Sequence, residues 1–130
     1  MEKQTDKELA FFDAAYKAYT SFPEAIQDDG GYQLHLLQTG KNPADFKPLA
    51  RVGTGAYELR LDDELNQYRV IYVAKLGDKV WVLHAFQKKT RATRVEDINV
   101  AKKAYAALEK ELLNEKALEK KRQRGKTKNE

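Results

Sequence analysis

Tyr68-Arg69-Val70-Ile71-Tyr72-Val73-Ala74-Lys75 and Lys79-Val80-Trp81-Val82-Leu83-His84-Ala85-Phe86, parted by Gly77-Asp78, form the stretch on which the fold turns. Both runs are rich in β-branched and aromatic residues, and the Gly-Asp between them reads as a tight hairpin. Upstream, residues 57–61 make a third such run beyond the separator 62–67, and residues 49–52 a fourth beyond Gly53-Thr54-Gly55. Consecutive strands joined by short turns predict an antiparallel meander and not a βαβ arrangement.

Helical patterns flank this core. Downstream, Thr93-Arg94-Val95-Glu96 is a capping box that opens a helix with one apolar stripe, Ile98, Ala101, Tyr105, Leu108 and Leu112. From Glu115 the stripe fades into Lys116, Lys120, Lys121, Arg122, Arg124, Lys126 and Lys128. The reading is therefore one domain over residues 1–115 and a basic, flexible tail over 116–130. Upstream, Asn42-Pro43 and Pro48 mark a loop after Gly40. Ser21-Phe22-Pro23-Glu24 starts a helix with Ile26, Leu34 and Leu37 inward and Gly40 as its stop, weakened at Asp28-Asp29-Gly30-Gly31. Thr5-Asp6-Lys7-Glu8 reads as another capping box. With Leu9, Phe12, Tyr16 and Tyr19 at three-four spacing, it predicts a first helix from about residue 6 to 19. The expected class is α+β, a twisted antiparallel sheet with N-terminal helices packed on it and a C-terminal helix.

The chain has 130 residues, enough for one core without metals or disulfides. It has no cysteine, which excludes a thiol nucleophile, a cysteine zinc site and a disulfide scaffold, and fits a reducing cytoplasm. The N-terminus is charged, and no run approaches the roughly 18 apolar residues of a membrane span, so no membrane partner is expected. Its 24 Lys+Arg against 20 Asp+Glu give a net charge of +4, which suits a polyanion without naming one.

Side chains alternate along a strand, so Glu58 and Arg60 share one face, as do Arg69, Ile71 and Val73, and as do Val82, His84 and Phe86 opposite Trp81, Leu83 and Ala85. If the register brings Arg60, Arg69 and His84 to one side, two guanidiniums and an imidazole meet there. Gln87-Lys88-Lys89-Thr90-Arg91 adds three cations at the edge. Such a set suits a phosphodiester: Arg forks grip phosphate oxygens, Lys adds charge or a proton, and His moves protons near neutral pH. RNA supplies its own 2′-hydroxyl nucleophile, so its cleavage needs positioning and proton transfer but not a metal. Each residue also has a plainer account. A strand Arg or Lys can be a solvated face or an ion-pair partner, His84 and His35 structural histidines, and Phe11, Phe12, Tyr16, Tyr19 and Trp81 core. The two histidines are far apart, Asp62-Asp63-Glu64 sits in a turn, and Gly53-Thr54-Gly55 lacks a following helix. No metal centre, cofactor or phosphate loop is expected.

A series of segments carries a resemblance: Gly31-Tyr32-Gln33-Leu34-His35, Lys47-Pro48-Leu49, Gly55-Ala56-Tyr57-Glu58-Leu59-Arg60, Tyr68-Arg69-Val70-Ile71-Tyr72 and His84-Ala85-Phe86-Gln87-Lys88-Lys89-Thr90. In this order and with these gaps the chain resembles the RelE/HigB-like toxins of bacterial type II toxin-antitoxin systems, in particular their phage-derived branch, over about residues 23 to 110. The resemblance implies a RelE-like fold and metal-independent endonucleolytic cleavage of mRNA, commonly on the ribosome, leaving a 2′,3′-cyclic phosphate and a 5′-hydroxyl. It implies that Arg60 and Arg69 bind the scissile phosphate and that His84 and Lys88 supply proton transfer or further phosphate contacts. Lys47 and Lys89 are weaker carry-overs as RNA contacts, beside Arg91. It also implies an antitoxin, often a helix-turn-helix protein. This chain departs from the pattern at Thr93-Arg94, at Asp28-Asp29-Gly30-Gly31 and in the basic segment after Glu115. Two other readings stand beside this one: a non-catalytic RNA- or ribosome-binding module, and a protein-interaction domain on an inactive toxin fold.

Overall fold

The computed structural model describes residues 6–89 and 95–128 of the chain. Along the chain run β1 (Glu8–Phe11), α1 (Ala15–Thr20), α2 (Glu24–Gln38), β2 (Phe46–Pro48), β3 (Ala56–Asp62), β4 (Gln67–Val73), β5 (Lys79–Lys88) and α3 (Val95–Lys128). The strands form one five-stranded sheet in the order β1-β5-β4-β3-β2. β3, β4 and β5 make the expected antiparallel meander, β2 pairs antiparallel with β3, and β1 adds to the far edge parallel to β5.

Both faces of this sheet are buried, each under its own helices. Leu59, Leu61, Val70, Tyr72, Val80 and Val82 point to one side and pack against Tyr19, Phe22, Ile26 and Leu34 of the α1–α2 layer. Ala56, Ile71, Val73 and Leu83 point to the other and meet Ile98, Ala101, Ala104 and Leu108 of α3. The alternation along β3 and β4 fits this arrangement: each strand has an apolar residue for one layer at every second position, and each layer removes apolar surface from water.

The first predicted helix is replaced by a strand and a short helix. Leu9 and Phe11, two residues apart, enter the α1–α2 core, while Phe12 reaches the other core beside Trp81. An extended chain sends neighbouring aromatics to opposite faces, and the open edge of β5 supplies hydrogen-bonding partners that a lone amphipathic helix would not use. Asp13, at φ 53°, turns the chain from β1 into α1. Thr5 of the expected capping box lies outside the described residues.

The second helix holds without the expected break. Gly30 is buried on its inner face, where an added Cβ would stand 2.7 Å from Tyr19 Oη and 3.0 Å from Leu61. Glycine there lets α2 approach α1 and β3 closely. The strand expected at 49–52 is a turn. The strand itself lies earlier, at β2, ending at the edge on Pro48, and Leu49 and Val52 fold under α3. Around Gly77, at φ 74°, the turn between β4 and β5 spans residues 74–78, longer than a two-residue hairpin. The helix expected after the capping box is α3, of 34 residues; Thr93 and Arg94 of that box lie outside the described residues. It continues past residue 116 to Lys128, and residues 113–124 are all exposed. Among the described residues no helix is long and apolar enough to cross a membrane.

Candidate functional site

The α3 side of the sheet carries the polar positions that alternate with the first core. Arg60 on β3 stands directly opposite Arg69 on β4, and Lys47 on β2 stands opposite Glu58 on β3. On β5, Lys88 pairs with Gln67 and Phe86 with Arg69. Three neighbouring strands and the edge strand thus place Lys47, Arg60, Arg69 and Lys88 on one face at one end of the sheet. The carboxylates Glu58 and Asp62 lie among them.

His84 joins this face through a bulge. Ile71 pairs with His84 and Tyr72 with Val82, so Leu83 is the extra residue. Strict alternation would keep His84 with Val82. The bulge separates them, so that Val82 packs in the α1–α2 core while Leu83, His84 and Phe86 all lie on the α3 side. This corrects the expected grouping of Val82 with His84 and Phe86, and it brings His84 to the face that carries the arginines. The His84 ring stacks on Phe86 at 5.2 Å, and its Nε2 lies 2.9 Å from Asp97 Oδ1 in the first turn of α3. With Nε2–H donating to that carboxylate, Nδ1 is the ring atom left to take up a proton.

The four cations differ in what they can reach. Arg69 is 2 % exposed and locked: Nη1 donates to Asp62 Oδ1 at 3.0 Å and to the Tyr68 carbonyl, Nη2 donates to Gln67 Oε1, and Nε lies 3.9 Å from Glu58. Glu58 is fully buried and also faces Lys47 at 3.6 Å. The Arg69 donors are thus engaged within the fold, and what it can offer a ligand is its charge at a distance. Arg60 and Lys47 are open to solvent at 35 % and 43 %, and Arg60 has a loose partner in Asp45 at 4.0 Å. Of the corner's cations, these two have their charged ends accessible, a guanidinium fork and an ammonium. Burial pushes the Lys88 ammonium below its ordinary pKa; Arg69, Lys47 and Arg60 push the same way, against Glu58. A lysine so placed gives up its proton more readily than a free one.

Lys89 follows β5 and is exposed, and Arg91 lies outside the described residues. Asp97, Glu58, Asp62 and Phe86 were missed as site residues, because their roles come from partners on other strands or on α3. The place of Asp97 in the first turn of α3, one residue past the capping box, was the one local signal. Among the described residues no group of three or more His, Asp or Glu is placed to hold a metal ion.

Chemically, the corner offers anion binding at Arg60 and Lys47, a lysine with a loosened proton, a histidine oriented by a carboxylate, and an aromatic face at Phe86 between the two. His84 and Lys88 are four residues apart on β5, roughly 13 Å along the strand. They can flank a ligand whose phosphate sits near Arg60 and whose base lies on Phe86.

A family model described as "Phage derived protein Gp49-like (DUF891)" matches residues 17–106. The matched stretch holds every residue of the corner, from Lys47 to Asp97. No curated protein matches the chain.

Proposed function

The chain belongs to the family of Gp49-like phage-derived proteins, and from that premise we propose that it is the toxin of a type II toxin-antitoxin pair, an endoribonuclease that cleaves ribosome-bound mRNA without a metal. One observation supports this above the rest: Arg60 and Arg69 face each other across β3 and β4, flanked by Lys47 and Lys88 on the same face. In the proposed reaction the 2′-oxygen loses its proton and bonds to the adjacent phosphorus. The bond from phosphorus to the 5′-oxygen breaks, and that oxygen takes up a proton. A 2′,3′-cyclic phosphate and a 5′-hydroxyl result, with the electron pair of the broken bond on the departing oxygen.

Each residue then has a role that its position suits. Arg60 and Lys47 hold the phosphate oxygens and, with the field of Arg69, stabilise the charge that builds on them. His84 takes the 2′-proton at Nδ1, and Asp97 holds its ring. Lys88 protonates the leaving oxygen. Lys89, and Arg91 beyond it in sequence, extend the RNA contact past the strand end. The partners are mRNA on the ribosome and an antitoxin of helix-turn-helix type that silences the chain in the cytoplasm.

A second reading, a non-catalytic RNA-binding module, draws on the burial of Arg69, whose donors are already engaged by Asp62, Gln67 and the backbone. Induced expression in a bacterial host separates the two, with the wild type beside Arg60→Ala/Lys88→Ala. This pair is chosen because neither residue is part of the buried ion pair, so the variant keeps its fold. Growth arrest and new 5′-hydroxyl ends in mRNA from the wild type, both lost in the variant, are expected. Normal growth with intact mRNA from folded wild type gives the binding module first place.

A further inference from the structure

The positive charge of this molecule is not spread over it. Residues 114–128 hold seven Lys and Arg against two Glu, a surplus of five, whereas the whole chain has a net charge of +4. The rest of the chain is therefore close to neutral, and the surplus resides on one helical segment. That segment is the part of α3 that has left the sheet. Leu108 is buried and Leu112 rests on Gly77 at the turn between β4 and β5, but from Leu113 to Arg124 every residue is exposed.

The charges are also sorted around the helix. Lys116, Lys120 and Arg124 recur every four residues, stacked along one row at about 6 Å per step, with Lys121 beside them. Glu115 and Glu119 lie on the adjoining flank and not in the row, and Glu119 meets Arg122 at 3.7 Å. A solvated helix kept only for solubility has no need to separate its charges, and acidic residues would neutralise the row. A one-signed row on a projecting rod has the geometry of a polyanion contact.

We infer that residues 114–128 of α3 form an arm that binds the phosphodiester backbone of single-stranded RNA, outside the nucleotides held at the candidate site. The inference rests on the RNA reading of that site, which is what selects RNA among polyanions. It adds a contact at the other end of the sheet. Asp97, near the start of α3, meets His84, and Leu112 meets Gly77, so the helix runs back along β5 and the arm leaves beyond the end opposite Lys88. The ten residues of β5 span about 33 Å, so a single strand touching both places must reach at least that far. The arm lies beyond the residues that the family model matches, 17–106.

The test uses the full chain and the full chain carrying Lys116→Gln, Lys120→Gln, Lys121→Gln and Arg124→Gln. The probe is a fluorescent single-stranded RNA of about 20 nucleotides with 2′-O-methyl groups, which binds but lacks the nucleophile. Anisotropy across a salt series should give about a tenfold or greater loss of affinity in the variant, and a salt slope shallower by about 3, from four contacts at about 0.7 each. Circular dichroism checks that the arm stays helical. If it does not, Glu115→Gln/Glu119→Gln provides the reciprocal test, with tighter binding expected. Equal affinity and equal slope in wild type and variant overturn the arm, as does binding to phosphatidylserine vesicles with none to RNA. If the arm proves dispensable while the wild type still produces 5′-hydroxyl ends, the nuclease stands without it. If a chain that cuts nothing binds through the arm, the arm stands without the nuclease.

Discussion

Arg69 and Glu58 are buried against each other, and each makes the other tolerable. A guanidinium or carboxylate taken out of water is costly to leave without its partner, and removing one member of such a pair typically costs about 3–5 kcal/mol. Arg69→Ala is therefore expected to lose that much in chemical denaturation, and Glu58→Gln/Arg69→Met to recover part of it; a loss below about 1 kcal/mol for Arg69→Ala would show that the pair does not hold the corner. Lys88 is of another kind, because its proton is loosened and not locked. The folded chain holds that proton less tightly than the unfolded one does, so folding stability rises as pH climbs through the lowered pKa toward 10.5. In the proposed reaction the same shift makes cleavage fall on the alkaline side at a pH below 10.5. Lys47→Gln, which removes one of the repelling charges, should move that limb upward in a pH profile of kcat/KM, and an unmoved limb would exclude Lys88 as the proton donor. Alternation made legible which face of its own strand Arg60 and Arg69 each occupy, while their standing opposite one another depends on a register that comes from the structure. Asp97 and the bulge that turns His84 were not legible, since each depends on a contact between elements.

Helix α2 separates propensity from packing at two neighbouring positions. Gly31 is exposed, and a Cβ there would be 4.0 Å from Tyr19 Oη; Gly31→Ala should stabilise by about 1 kcal/mol through helix propensity alone. At Gly30 the same substitution drives a methyl against Tyr19, whose hydroxyl donates to the Gln27 carbonyl and whose pKa burial, with help from Asp28 and Asp29, pushes up to about 12. Gly30→Ala should instead cost about 1–3 kcal/mol as overpacking. Thermal melts of the two variants check the opposite signs, and a shift in the same direction would mean that α2 does not sit as closely as described. The expected weakness at Asp28-Asp29-Gly30-Gly31 thus followed local propensity, which the tertiary contact overrides. The three antiparallel strands were legible from alternation, and α3 from its apolar stripe, Ile98, Ala101, Tyr105, Leu108 and Leu112. At β1 the order Leu9, Phe11, Phe12, Tyr16 fits both a period of two and a period near 3.6. The choice was made by the open edge of β5, some 70 residues away.

As a whole the molecule is a sheet between two helical layers, and the cation corner lies past His84, at the end of the sheet where α3 begins. The sheet therefore serves both as core and as scaffold, with apolar residues under the helices and charged residues toward that end. The family membership accounts for residues 17–106, while β1 and the arm lie outside that span. The parallel pairing of β1 with β5 also has a consequence in time. Glu8 is synthesised about 70 residues before its partner Lys79, so at roughly 5–20 residues per second the first strand waits about 4–14 s for the edge it completes. Until then neither sheet face can close, and His84, Lys88 and Asp97 are still to be made. The corner thus assembles only when all the strands and the start of α3 have emerged, and β1, although made early, is among the last pieces to dock.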